Sequence, residues 1–81
     1  MWFVYMVQCQ DKSLYTGISN NLEKRINAHN HKRGAKAVKG KLPVKLVYQE
    51  RYNKKEMALS RESEIKNLKR EAKLKLILKG P

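Results

Sequence analysis

The sequence predicts a small α+β domain whose elements follow the order ββαβα(α). Segments rich in aromatic and β-branched residues alternate with segments of helical periodicity. A chain of 81 residues has room for one hydrophobic core. No internal repeat, low-complexity tract or linker divides it. We therefore expect a single domain over residues 1–81, with any activity located on the core fold itself.

The first two strands are predicted to form an antiparallel hairpin. Residues 2–7, WFVYMV, have strong β propensity, and the polar residues 10–13 then interrupt the strand pattern. A second apolar segment follows at residues 14–18, LYTGI. Asp11 suits the turn between them.

The first helix is predicted from Leu22 to Asn30. The preceding Ser19-Asn20-Asn21 offers capping side chains. Leu22, Ile26 and His29 then recur at the i, i+4 and i+7 positions of one helix face.

The charge of the chain indicates an anionic partner. The sequence has 19 Lys and Arg against 7 Asp and Glu, a formal net charge of +12. Nucleic acid, an acidic membrane surface and a ribosome-like particle could each be that partner, and charge alone does not choose among them. The alternative is a soluble basic surface with no specific partner. Residues 31–41 should form an exposed basic loop that contacts phosphate. Its candidate binding residues are Lys32, Arg33, Lys36, Lys39 and Lys41.

A third strand and a long helical segment complete the predicted fold. Val44, Leu46 and Tyr48 alternate with Lys45 and Val47, as a half-buried strand requires.

The helical segment has a start signal and a stop signal. Asn53 followed by Glu56 resembles a capping box, which predicts a second helix from Lys54. The helical pattern continues to Gly80-Pro81, but so long a helix fits poorly on a small sheet. We expect a break near Lys69-Arg70.

The cysteine content and the first nine residues bear on cellular location. The single cysteine, Cys9, cannot form an intramolecular disulfide, and we interpret it as a small buried hydrophobe. Residues 1–9 lack the pattern of a signal peptide, and no segment has the length of a membrane span. We expect a reduced cytoplasmic protein that is monomeric and does not bind membranes.

One carboxylate has an unusual predicted setting. At about 100° per residue, Glu62 lies beside Ala58 and Ile65 at the margin of the apolar face of the second helix. It could bind one metal ion, or it could be a rim carboxylate paired with a lysine. The same geometry puts Arg61 nearer the centre of that face, where only snorkelling would keep its charge in water. Because no paired-carboxylate motif is present, we do not expect a two-metal site.

Four further side chains could carry chemistry or could be structural. Arg25 and His29 lie four residues apart on the first helix, where an arginine could hold phosphate. Arg25 could equally be a solvated charge, and His29 a half-buried, hydrogen-bonded histidine. Tyr5 and Tyr15 fall on the two hairpin strands, and paired strand tyrosines usually pack with a solvated hydroxyl.

Four short blocks together resemble the signature of the GIY-YIG nuclease superfamily. They are Phe3-Val4-Tyr5, Tyr15-Thr16-Gly17, Arg25-Ile26-x-x-His29 and Ala58-Leu59-x-x-Glu62, in the family's order and spacing over nearly the whole chain. The chain is most similar to the short bacterial single-domain members. The resemblance implies a GIY-YIG fold, with a three-stranded antiparallel sheet flanked by helices.

The resemblance also implies roles for individual residues. Tyr5 and Tyr15 match the two motif tyrosines, one of which would accept a proton from the attacking water. Arg25 matches the phosphate-binding arginine, and His29 a site where relatives hold Tyr or His. Glu62 matches the ligand of one Mg²⁺ or Mn²⁺ ion. Gly17 matches a glycine that lets backbone and phosphate approach each other.

The chain departs from the family pattern near its first motif. Phe3 replaces a glycine, and Ile18 stands where some relatives have a lysine. Activation of a tyrosine would then depend on the metal ion or on a loop lysine such as Lys36.

These observations predict a metal-dependent endonuclease that hydrolyses phosphodiester bonds in DNA, in repair or recombination. The alternative is a nucleic-acid-binding module on the same fold whose catalysis is weak or lost. A basic protein-binding domain is a more distant alternative.

Overall fold

A three-stranded antiparallel sheet forms the centre of the molecule, in the strand order β2-β1-β3. The computed structural model describes residues 1–80. The strands are β1 (Trp2–Gln8), β2 (Leu14–Ser19) and β3 (Lys45–Tyr52). The helices are α1 (Leu22–Asn30), a 3-10 helix (Lys36–Lys41), α2 (Lys55–Lys66) and α3 (Arg70–Lys79). The predicted α+β class and element order are confirmed.

Strand β1 is the central strand, and helices packed above and below the sheet bury both of its faces. Val4 and Met6 face α2 and α3, where they join Ala58 and Ile65 in one core cluster. Tyr5 and the neighbouring Val7 point to the opposite face, in a second cluster that includes Val38 and Val44 and is covered by α1. Alternation along one strand thus gives the sheet two cores.

Several predicted boundaries are confirmed. Helix α1 spans Leu22 to Asn30, as its cap and apolar spacing indicated. The second helical segment is broken, since α2 ends at Lys66 and α3 begins at Arg70. The last helix ends at Gly80, whose φ of 78° is available to a residue without a side chain. Pro81, the second residue of the predicted stop, lies outside the described residues.

Two predictions, the start of α2 and the irregular basic loop, are wrong in detail. Helix α2 begins at Lys55, and its N-cap residue Lys54 forms no side-chain cap, so Asn53 and Glu56 do not make the predicted capping box. The basic segment is not an irregular loop throughout, because residues 36–41 form a 3-10 helix that buries Val38.

Strand β3 is longer than predicted, and its alternation is interrupted. Tyr48 pairs with Met6 while Leu46 pairs with Val7, so Val47 is an extra residue in a bulge. Val47 packs against the cluster below α2, and Leu46 is exposed rather than buried. Across residues 1–80, no helix is both long and apolar enough to cross a membrane.

Candidate active site

Two tyrosines and a glycine share one face of the sheet. Tyr5 is fully buried in β1 and pairs with Gly17 of β2, while Tyr15 pairs with Val7. The two rings lie 6.4 Å apart between centroids. The hairpin register therefore brings together the two motif tyrosines and the motif glycine.

Gly17 leaves space for the Tyr5 hydroxyl. A Cβ at this position would lie 2.7 Å from the Tyr5 oxygen and 3.2 Å from Cε2 of Tyr15. Such distances require one of the rings to move. Glycine is needed here to accommodate the tyrosine, a reason that the sequence alone did not provide.

Helix α1 adds two polar side chains to this cluster. Its N-cap Asn21 accepts a hydrogen bond from the Lys24 amide at 3.1 Å, which fixes where the helix begins. Arg25 Nε donates to the Tyr5 hydroxyl at 3.3 Å. His29 is fully buried, with Nε2 at 2.9 Å from the same hydroxyl. Arg25 and His29 therefore converge on one phenol oxygen.

Burial and charge shift the proton affinities of these groups. Burial raises the pKa of Tyr5 above its ordinary value, against the opposing effect of Arg25. Burial, followed by the positive charge of Arg25, lowers the pKa of His29. The imidazole is therefore neutral at pH 7, and the phenol is protonated in the resting protein.

Glu62 lies on α2, which packs mainly on the other face of the sheet. Its side chain is 18% exposed and forms an ion pair with Lys66 at 3.5 Å. The sequence left open whether Glu62 is a metal ligand or a rim carboxylate paired with a lysine, and the structure contains the pair with Lys66. The negative charge of Glu62 also acts to raise the pKa of Tyr5, more weakly than burial does. Glu62 is therefore within electrostatic range of the phenol while it is paired on its own helix.

The basic segment packs against the back of the site. Gly34 and Ala35 contact His29, and the Ala35 amide donates to His29 Nδ1 at 3.3 Å. The predicted binding residues lie on either side of this contact in the sequence. Lys32, Arg33, Lys36 and Lys39 are exposed. Lys41 is half-buried and forms an ion pair with Asp11 at 3.6 Å.

Comparison with known proteins identifies the family. The model of the GIY-YIG catalytic domain matches residues 1–75. The chain belongs to the GIY-YIG family. Among GIY-YIG relatives, a UPF0213 protein of Staphylococcus saprophyticus is 53% identical over 78 residues, which cover 96% of this chain and 95% of the relative. A UPF0213 protein of Clostridium perfringens is 57% identical over 77 residues, which cover 95% and 83%.

A solved structure supports the same GIY-YIG fold. The solution NMR structure of a UPF0213 protein from Bacillus halodurans matches with a TM-score of 0.61 and 37% sequence identity. The match covers 95% of this chain and 83% of the other. The fold and the family predicted from the sequence are therefore confirmed.

Glu62 is the carboxylate through which this GIY-YIG site could hold a metal ion. Within residues 1–80, no group of three His, Cys, Asp or Glu side chains could hold a metal ion. Mg²⁺ commonly takes one or two carboxylates and completes its coordination with water and substrate phosphate. The partly exposed Glu62 fits that pattern, so a single Mg²⁺ or Mn²⁺ is compatible with the residues present.

One partly buried ionic cluster was missed by the sequence analysis. On the α2 face, Glu50 accepts two hydrogen bonds from Arg61, at 2.9 and 3.0 Å, and further bonds from the hydroxyls of Tyr48 and Tyr52. Burial acts to raise the pKa of Glu50, but these hydrogen bonds outweigh it and hold that pKa below its ordinary value. Arg61 therefore has a partly buried, charged partner, which explains its position near the centre of the apolar face.

Proposed function

We propose that this GIY-YIG protein is an endonuclease that hydrolyses phosphodiester bonds of nucleic acid, with DNA as its substrate. The observation that carries the proposal is the convergence of Arg25 and His29 on the Tyr5 oxygen, at 3.3 and 2.9 Å. Hydrolysis needs a proton acceptor for the attacking water and positive charge near the phosphate. This cluster offers both.

Tyr5 is the proposed proton acceptor. Hydrogen-bond donors on its oxygen stabilise the phenolate, which is the form able to take a proton from water. Because burial keeps the pKa of Tyr5 above its ordinary value, only a small fraction is phenolate at neutral pH. The cleavage rate should therefore rise with pH, by up to about tenfold per unit while the phenol remains mostly protonated.

Arg25 and Glu62 have complementary proposed roles. Arg25 uses Nε for Tyr5, and the N–H groups on its terminal nitrogens can hold oxygens of the scissile phosphate. Glu62 would hold one Mg²⁺ or Mn²⁺, which when bound stabilises charge on the phosphate. Tyr15 packs edge-on against His29, with centroids 5.5 Å apart and planes at 71°, and limits the movement of the imidazole.

Substrate binding is proposed to depend on the basic segment. Its exposed cations belong to the same segment as Gly34 and Ala35, which contact His29. A nucleic-acid backbone bound to these cations would therefore pass the tyrosines. Contacts to phosphate are largely independent of base sequence, and each phosphate neutralised on a duplex steepens the log-log salt dependence by about 0.9. An affinity that hardly changed between low and moderate salt would contradict this mode of binding.

A non-catalytic binding module is the second candidate. The ion pair between Glu62 and Lys66 favours it, because a lysine competes with a cation for the carboxylate. A module of this kind would bind nucleic acid with the same salt dependence and would not cut it.

The decisive test compares cleavage by wild type, Tyr5→Phe and Tyr52→Phe. A panel of labelled single-stranded, duplex and branched DNAs, and matching RNAs, is incubated with Mg²⁺, Mn²⁺ or a chelator. We expect cleavage by wild type and a loss of about 100-fold or more for Tyr5→Phe at unchanged affinity. Tyr52→Phe, which removes a hydroxyl on the opposite face of the sheet, should cut like wild type. Cleavage by Tyr5→Phe at the wild-type rate refutes the proposal, and a wild type that binds without cutting favours the module.

A further inference from the structure

The hydrogen bonds of His29 determine which ring nitrogen carries its proton. The Ala35 amide donates to Nδ1 at 3.3 Å. A backbone N–H can only donate, so Nδ1 must be the unprotonated acceptor. A neutral imidazole has a single N–H, which must then be on Nε2, 2.9 Å from the Tyr5 oxygen. His29 is therefore the donor in its bond to Tyr5.

The consequence is an unusual environment for the Tyr5 oxygen. Nε2–H of His29 and Nε–H of Arg25 both point at it. Two donors occupy the acceptor positions of a phenol and turn its own O–H away from both. The opposite tautomer of His29 would instead accept the Tyr5 proton and stabilise the neutral phenol.

The main chain at Gly34 holds the deciding donor in place. A Cβ on Gly34 would fall on Nδ1 of His29, and it would lie 2.7 Å from Cγ and 2.8 Å from Cα of the same residue. The φ of Gly34 is not positive, so the requirement is for space rather than for a left-handed backbone. Only glycine lets the chain pass close enough for the next amide to reach the ring.

We propose that Gly34 and Ala35 are positioning residues for the reaction. Their backbone keeps His29 in the Nε2–H tautomer, so that His29 and Arg25 together donate to the proton acceptor Tyr5. The inference rests on the proposed function only in treating Tyr5 as that acceptor. The tautomer itself is a property of the protein in the absence of substrate.

The first test is spectroscopic and needs no activity. The ¹⁵N chemical shifts of the His29 ring nitrogens are measured in the whole protein at neutral pH. We expect the shift of an unprotonated nitrogen at Nδ1 and of a protonated nitrogen at Nε2. The reverse assignment overturns the proposal even if the protein is an active nuclease. The expected assignment in a protein that does not cut leaves the tautomer established and refutes only the nuclease.

The second test uses two matched glycine substitutions. Gly34→Ala forces the segment away from His29, whereas Gly40→Ala makes the same change in the same basic segment with nothing within 4 Å of the new Cβ. We expect Gly34→Ala to populate the other tautomer and to lower the cleavage rate about tenfold, which corresponds to about 1.4 kcal/mol of transition-state stabilisation. Gly40→Ala should match wild type in both measurements. Identical tautomer populations and rates in the two variants overturn the proposal.

A third comparison remains informative if Gly34→Ala fails to fold. The amide nitrogen of His29→Gln can reach the position of Nε2 and donate to Tyr5, whereas His29→Asn reaches only the position of Nδ1. We expect His29→Gln to cut about tenfold faster than His29→Asn. Equal rates would show that donation to Tyr5 has no role.

Discussion

Replacement of Glu62 by glutamine separates a metal ligand from a structural carboxylate. Glu62 forms an i,i+4 ion pair with Lys66 at 3.5 Å, and the Lys66 side chain is 52% exposed. Pairs of this kind on a helix surface contribute about 0.3 to 0.5 kcal/mol. For a domain of this size, that loss lowers the melting temperature by about 1 to 4 °C. The variant should therefore fold.

The expected effect on cleavage is much larger. An amide keeps the shape of the side chain but lacks the charge that a hard cation requires. Loss of a metal that stabilises the transition state by several kcal/mol lowers the rate by about 100-fold or more. Affinity for nucleic acid should stay the same or rise slightly, since one negative charge is removed.

Glu64→Gln is the matched control. Glu64 lies two residues further along α2, its side chain is 65% exposed, and it forms an ion pair with Arg61 at 3.6 Å. Cleavage with Mn²⁺, melting temperature and affinity are measured for both variants and wild type. Glu64→Gln should lose similar stability and no activity. Equal cleavage by the two variants would refute the metal-ligand role, and a much larger drop in melting temperature for Glu62→Gln would indicate a structural role instead.

Two further predictions address the phosphate contact and the ionic cluster around Glu50. Arg25→Ala should lower the cleavage rate more than the affinity, because the contact between Arg25 and the phosphate strengthens as negative charge develops in the transition state. Lys39→Ala should mainly weaken binding. Equal losses of rate and affinity in both variants would argue against a specific role for Arg25. Glu50→Gln should cost about 2 kcal/mol at pH 7, measured by urea denaturation, because Arg61 loses its charged and hydrogen-bonded partner. The folded-state pKa of Glu50 is depressed, so its contribution is present above the unfolded-state value and is lost as pH falls through the folded-state pKa. Wild type should thus lose more stability between pH 7 and pH 3 than the variant does, and parallel pH profiles would exclude this role for Glu50.

The elements with local signals were predictable from the sequence. Helix α1 has a capping side chain at Asn21 and apolar residues at Leu22 and Ile26, so its bounds follow from short-range information. The same helix fixes the spacing of Arg25 and His29. Their convergence on Tyr5 could be anticipated only through the family resemblance, because it depends on how α1 crosses the sheet.

The features that were missed depend on contacts distant in sequence. Arg61 is satisfied by Glu50 on another element, eleven positions away, and no local pattern indicates that pairing. The 3-10 helix at residues 36–41 is stabilised by the burial of one apolar side chain, Val38, which is too little for a periodic signal. Asn53 has the right spacing for a capping box, but the chain enters α2 one residue later and Lys54 becomes the N-cap.

The two halves of the site should open on different timescales. Tyr5 belongs to the central strand, whose amides are bonded on both sides and can exchange with solvent only when the whole domain unfolds. The Ala35 amide lies in a segment with many exposed residues and few packed side chains, where exchange needs only a local opening. Each such opening withdraws the donor from His29 without disturbing the tyrosine. Hydrogen exchange at Ala35 would therefore report how often His29 loses this donor, and nucleic acid bound across the basic segment should slow that exchange.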